Sequence, residues 1–70
     1  MSRPMRVVVN GSPREVSPGC TVAALLAELR VEPRHVAVEI NLELLPRAQH
    51  ACHALVEGDR LEVVTLVGGG

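Results

Sequence analysis

Apolar and polar side chains alternate over Met5 to Val9, with Met5, Val7 and Val9 on one parity and Arg6 and Val8 on the other. A period of two predicts a strand with one face on a core. Asn10-Gly11 follows, and both residue types tolerate positive φ, so the pair predicts a tight hairpin. Pro13 to Val16 then returns as a second strand. Pro13 has no N–H for the ladder, which places it at a sheet edge or a strand start. After the turn cluster Ser17-Pro18-Gly19 the period changes. Val22, Leu25, Leu26 and Leu29 recur at helical spacing, Thr21 is a candidate N-cap, and Pro33 marks the end of the helical stretch. Val36 to Ile40 reads as a third strand, and Asn41 as the start of a turn. Leu44-Leu45 reads as a short fourth strand stopped by Pro46. Arg47 to Ala54 fits a short helix or a turn equally well. Glu57-Gly58-Asp59 is a turn signal, and Leu61 to Val67 is the last strand.

The order ββαβββ predicts an α+β domain, a β-grasp roll with one helix packed on a mixed sheet. The other sheet face is left without a helix. Residues 1–67 form that domain, and Gly68, Gly69 and Gly70 form a C-terminal glycine tail. Internal repeats and linkers are not evident.

Composition narrows the chemistry. Seventy residues make one small domain, with little room for a deep cleft. Function is therefore expected at the surface or at an end. The chain has no Phe, Tyr or Trp and a net charge of −1. It lacks both the stacking platforms and the basic field that nucleic acid requires, so no nucleic-acid partner is expected. All seven basic residues are Arg, which excludes lysine Schiff-base chemistry. The apolar runs are too short to span a membrane and no signal peptide is evident, so a cytoplasmic setting is expected. Cys20 and Cys52 are expected as free thiols.

Candidate reactive groups are few. His50, Cys52 and His53, with Cys20 from elsewhere in the fold, contain zinc-type donors. Cys52 does not share a helical face with the two histidines, so the expectation is an exposed polar turn and no metal. Neither cysteine has a neighbouring base that the sequence can place, and the glutamates form no recognisable acid–base pair. What remains is Gly68-Gly69-Gly70 after a strand. It reads either as a frayed end or as a flexible arm that carries a carboxylate into another protein's active site.

Several stretches together resemble the ThiS family, the thiamine-biosynthesis sulfur carriers with a ubiquitin-like β-grasp fold. They are Val9-Asn10-Gly11, Thr21 to Leu26, Val36 to Asn41, Leu45-Pro46-Arg47, Glu57 to Val64, and the terminal glycines. Leu42 and His50 depart from the pattern, standing where the family often has glycine and an aromatic residue. The resemblance implies a protein co-substrate and not an enzyme. An E1-like partner would use ATP to adenylate the Gly70 carboxylate. A sulfur donor such as a cysteine desulfurase would lead to the thiocarboxylate, and thiazole synthase would take the sulfur. No cofactor is expected on the chain itself. Gly68 and Gly69 would thread the partner's active site. Sibling carriers of the same fold, which serve molybdopterin, thiolated tRNA or a specialised product, remain alternatives. So does an inert ubiquitin-like interaction module.

The parity of the last strand suggests a docking face. If Leu61 and Val63 face the helix, Val64 and Leu66 point outward. Val8 on the neighbouring first strand is expected to join them in an apolar partner-binding patch, with Arg6 and Glu62 as charged neighbours.

Overall fold

A computed structural model describes residues 3–66, and Met1, Ser2 and Val67–Gly70 lie outside the described residues. Strand β1 (Met5–Val9) turns through Asn10 and Gly11, both at positive φ, into β2 (Ser12–Val16). Helix α1 spans Val22–Leu29, followed by a 3₁₀ turn at Pro33–His35. Then come β3 (Val36–Ile40), β4 (Glu43–Leu45), a 3₁₀ turn at Arg47–Gln49, and β5 (Arg60–Thr65). The sheet order is β2-β1-β5-β3-β4. Only the β1–β5 pair is parallel, so the sheet is mixed, as in the β-grasp roll expected from the pattern.

The core lies between α1 and one sheet face. Val22, Leu25 and Leu26 of the helix are fully buried. They meet Val7, Val9, Val38, Ile40, Leu45 and Leu61 from the sheet, with Leu55 from the loop before β5. No Phe, Tyr or Trp ring is present to fill space, so close packing of branched aliphatic chains does most of that work.

Both ends of α1 are tied down. Thr21 is the N-cap, and its Oγ1 accepts from Ala24 N–H at 3.1 Å. The other free amides of the first turn donate to the 47–54 segment: Ala23 N–H to His50 O and Val22 N–H to His53 O, each at 3.0 Å. That segment is therefore a cap for the helix, which satisfies donors that a helix start leaves unpaired. The helix stops at Leu29, well before Pro33. Arg30 takes the left-handed conformation at φ 60. Its N–H reaches Ala27 O and Val31 N–H reaches Leu26 O, a Schellman closure.

The turn at 47–54 is largely exposed, as expected, except at one residue. His50 is buried, 4% exposed, because docking against α1 draws it inward. Its Nε2 donates to Leu45 O at 3.3 Å, and Nδ1 has no partner among the described residues. No group of three or more metal-type donors clusters among the described residues, and both cysteines are free thiols. No helix among the described residues is long and apolar enough to cross a membrane.

Candidate functional site

Strand β5 outruns β1. Parallel pairing with β1 involves Val8↔Arg60 and Val9↔Leu61, after which the β1 chain turns away at Asn10. Pairing with β3 continues to Val36↔Thr65, and Leu66 N–H still donates to His35 O at 2.8 Å. The last residues of β5 are thus held by β3 on one side. On the other side Asn10 replaces the missing strand with its side chain: its amide accepts from Val63 N–H and donates to Val63 O. This projecting strand end leads into the glycine segment.

Val64 and Leu66 point away from the core, 53% and 49% exposed. Val64 sits opposite Ala37 of β3. Glu62 shares this outward face, directly opposite Glu39. Like charges at opposed positions repel. The single ion pair among the described residues is Arg14–Glu28 at 3.7 Å, so neither carboxylate is matched by a cation there.

Val8 and Arg6 are on the same face but not beside that pair. Val8 is half-buried and abreast of Arg60 and Pro13, four residues before Val64 along β5. At about 3.3 Å per residue that is roughly 13 Å along the strand. Arg6 lies further back, its carbonyl accepting from Gly58 N–H and its N–H donating to Glu57. The structure therefore divides the expected patch. Val64 and Leu66 lie at the end of β5, Val8 and Arg6 at the opposite end, and Glu62 midway between them. The parallel register separates them, and neither strand's sequence encodes that offset. Gly68, Gly69 and Gly70 lie outside the described residues.

A second exposed apolar group was not anticipated. Leu42 and Leu44, at the β4 edge of the sheet, and Val56, in the loop before β5, are 91%, 67% and 59% exposed. Asn41-Leu42 repeats the Asn10-Gly11 turn, with φ 52 and 74. The signal that could have found it is Leu42 standing at a position where the family often has glycine. Asp59, 6% exposed, anchors this corner: its carboxylate accepts from Asn41 Nδ2 and from Val56 N–H.

Comparison with known proteins places this geometry. The ThiS family model matches residues 7–70. The chain is 30% identical to the sulfur carrier protein ThiS of Escherichia coli K12 over 66 residues, 94% of this chain and 100% of that one. A crystal structure of the thiamine biosynthesis protein ThiS from Geobacter metallireducens superposes with a TM-score of 0.81 at 35% identity. It covers 94% of this chain and all of that one. A thiazole synthase of Paramagnetospirillum magneticum is 50% identical over 66 residues, 94% of this chain. There the chain spans only 20% of the relative's length.

Proposed function

The chain belongs to the ThiS family, and from that premise we propose that it is a sulfur carrier of thiamine biosynthesis whose reacting group is the Gly70 carboxylate. One observation carries the reading: the family match runs from residue 7 through Gly70, so the glycine segment belongs to what is shared and not to an appendage.

The chemistry follows from the residue types. A carboxylate is a poor electrophile. Attack of its oxygen on the α-phosphorus of ATP, on an E1-like enzyme, expels pyrophosphate and leaves an acyl-adenylate. A sulfur nucleophile then displaces AMP and forms the thiocarboxylate. A cysteine desulfurase fits as the source of that sulfur: its persulfide would displace AMP to give an acyl disulfide, which a second thiol cleaves to the thiocarboxylate and a disulfide. A thiazole synthase fits as the protein that consumes it. The ATP belongs to the activating partner and the carrier is a co-substrate, with residues 1–67 as its folded part and a cytoplasmic setting. Glycines without Cβ atoms let Gly68 and Gly69 thread a narrow channel. Ordering three residues costs about 3–6 kcal/mol. Docking of the folded domain has to offset that, and the face carrying Val64, Leu66 and Glu62, next to the tail, is the surface proposed for it.

Intact-mass measurement after incubation with the activating enzyme, ATP and sulfide is the test. Replacement of one oxygen by sulfur at Gly70 is expected. Deletion of Gly69 and Gly70 should abolish it while leaving the fold intact. An unmodified full-length chain with a competent enzyme would reject the reading in favour of an inert interaction module. Thiocarboxylate that thiazole synthase cannot use would point to another acceptor.

A further inference from the structure

Leu42 incurs two costs that nothing within the described fold repays. It occupies the left-handed region at φ 74, where an L-residue other than glycine or asparagine is disfavoured. Its side chain is also 91% exposed, so the strain gains no burial in return. The other turn of this kind uses glycine at the same place, Gly11 at φ 83.

The corner that carries Leu42 is rigid. Asn41 N–H donates to Arg60 O at 2.8 Å, Arg60 N–H donates to Asn41 Oδ1 at 3.0 Å, and Asn41 Nδ2 donates to Asp59. The second oxygen of Asp59 accepts from Val56 N–H at 2.9 Å. One carboxylate thus fixes the turn bearing Leu42 beside Val56. Leu44 and Val56 line a groove of about 570 Å³ that also includes Glu43 and His53. On the sheet, Leu44 sits opposite Glu39, which sits opposite Glu62. None of these glutamates is in an ion pair among the described residues. A backbone already fixed in this way lowers the ordering cost of binding. Arg60 brings one exposed cation to this corner, against Glu39, Glu43 and Glu62, so the surface is net negative and favours a basic partner. A second copy of the chain, related by a two-fold axis, would set this negative patch against an identical one, which disfavours self-pairing.

Resting on the carrier reading, we propose that Leu42, Leu44 and Val56 form a second docking surface, distinct from the end of β5. Its occupant is the protein that accepts the sulfur, which presents a basic side chain flanked by apolar ones. A carrier must be held by two different proteins in turn, and the exposed large apolar residues of the described fold fall into two groups at separate places.

The test is the affinity of the unloaded full-length chain for the thiazole synthase of the same organism, compared with Leu42→Gly and Glu43→Arg. Leu42→Gly removes the side chain and relieves the strained φ, so it should melt higher than the parent and yet bind roughly tenfold more weakly, as expected for losing one buried leucine. Glu43→Arg should also weaken binding and flatten its dependence on salt. Loading of Gly70 by the activating enzyme should be unchanged in both. Binding is read on the unloaded chain, so a failure of sulfur loading would sink the carrier reading without obscuring this one. Equal affinity of parent and Leu42→Gly for the synthase overturns the proposal. So does weakening toward the activating enzyme instead, or a concentration-dependent dimer in the parent that Leu42→Gly abolishes.

Discussion

The side-chain amide of Asn10 pairs with the backbone of Val63 in both directions, accepting from its N–H at 2.8 Å and donating to its carbonyl at 3.2 Å. Asn10 also takes φ 50 in the hairpin turn. One residue therefore ends β1 and continues the pairing that β1 abandons. Asn10→Gly separates the two roles, because glycine keeps the turn and deletes the amide. Each lost bond contributes about 1 kcal/mol net. A destabilisation of roughly 1–2 kcal/mol in urea denaturation is expected, together with faster amide exchange at Val63 and Leu66. An unchanged midpoint would reduce Asn10 to a turn residue.

Arg30 closes α1 in the left-handed conformation, where glycine carries no Cβ penalty. Its backbone bonds to Ala27 and Leu26 persist whatever the side chain is. Arg30→Gly should stabilise the domain by about 1 kcal/mol, visible as a melting temperature several degrees higher. Loss of stability would mean that the arginine side chain contributes more than the strain costs.

These positions also mark what the sequence discloses. Asn10-Gly11 announces its turn because both residue types favour positive φ. Asn41 announces the start of the second turn, but nothing in a leucine signals the φ of Leu42. The helix end was legible only through Pro33. The actual stop, at Leu29, rests on backbone bonds at Arg30 that the sequence does not advertise. Arg47 to Ala54 has no period of its own because its conformation is fixed by what it caps, the first-turn amides of α1. Inward and outward parity on each strand was readable from alternation. Placement of Val8 against Arg60 and not against Val64 was not, because parallel register is set by the whole sheet.

The two thiols are chemically unequal. Cys52 is exposed. The Cys20 thiol is pushed up from its ordinary 9.0, first by burial and then by the nearby Glu28 carboxylate. Iodoacetamide at neutral pH should label Cys52 well before Cys20. The sign of the linkage follows from the same shift. Below 9.0 the thiol is protonated in both folded and unfolded chains, and its contribution to stability is intact. As the pH rises further the unfolded chain releases its proton first, so stability falls until the folded thiol ionises too. Cys20→Ala should therefore lose less stability than the parent between neutral and alkaline pH, read by urea titration at each pH. Parallel profiles would show that Cys20 does not contribute to the alkaline loss.

Docking at the end of β5 can be separated from docking on the wider sheet face. Val64 and Leu66 are about half exposed, and backbone pairing of Val64 with β3 and of Leu66 with His35 just before it holds both in place whatever their side chains are. Val64→Asp with Leu66→Asp should leave the fold intact and weaken binding to the activating enzyme tenfold or more, as removal of a central apolar anchor does. The introduced carboxylates would also stand beside Glu62 and Glu39 and deepen the negative field there. Val8→Asp is the matched control. It places the same charge on the same face, roughly 13 Å away along the strand and abreast of Arg60. If docking is confined to the strand end, Val8→Asp binds as the parent does. Equal losses from both changes would mean that the partner covers the face from Arg6 to Leu66. A loss from Val8→Asp alone would move the docking surface to the opposite end of the sheet.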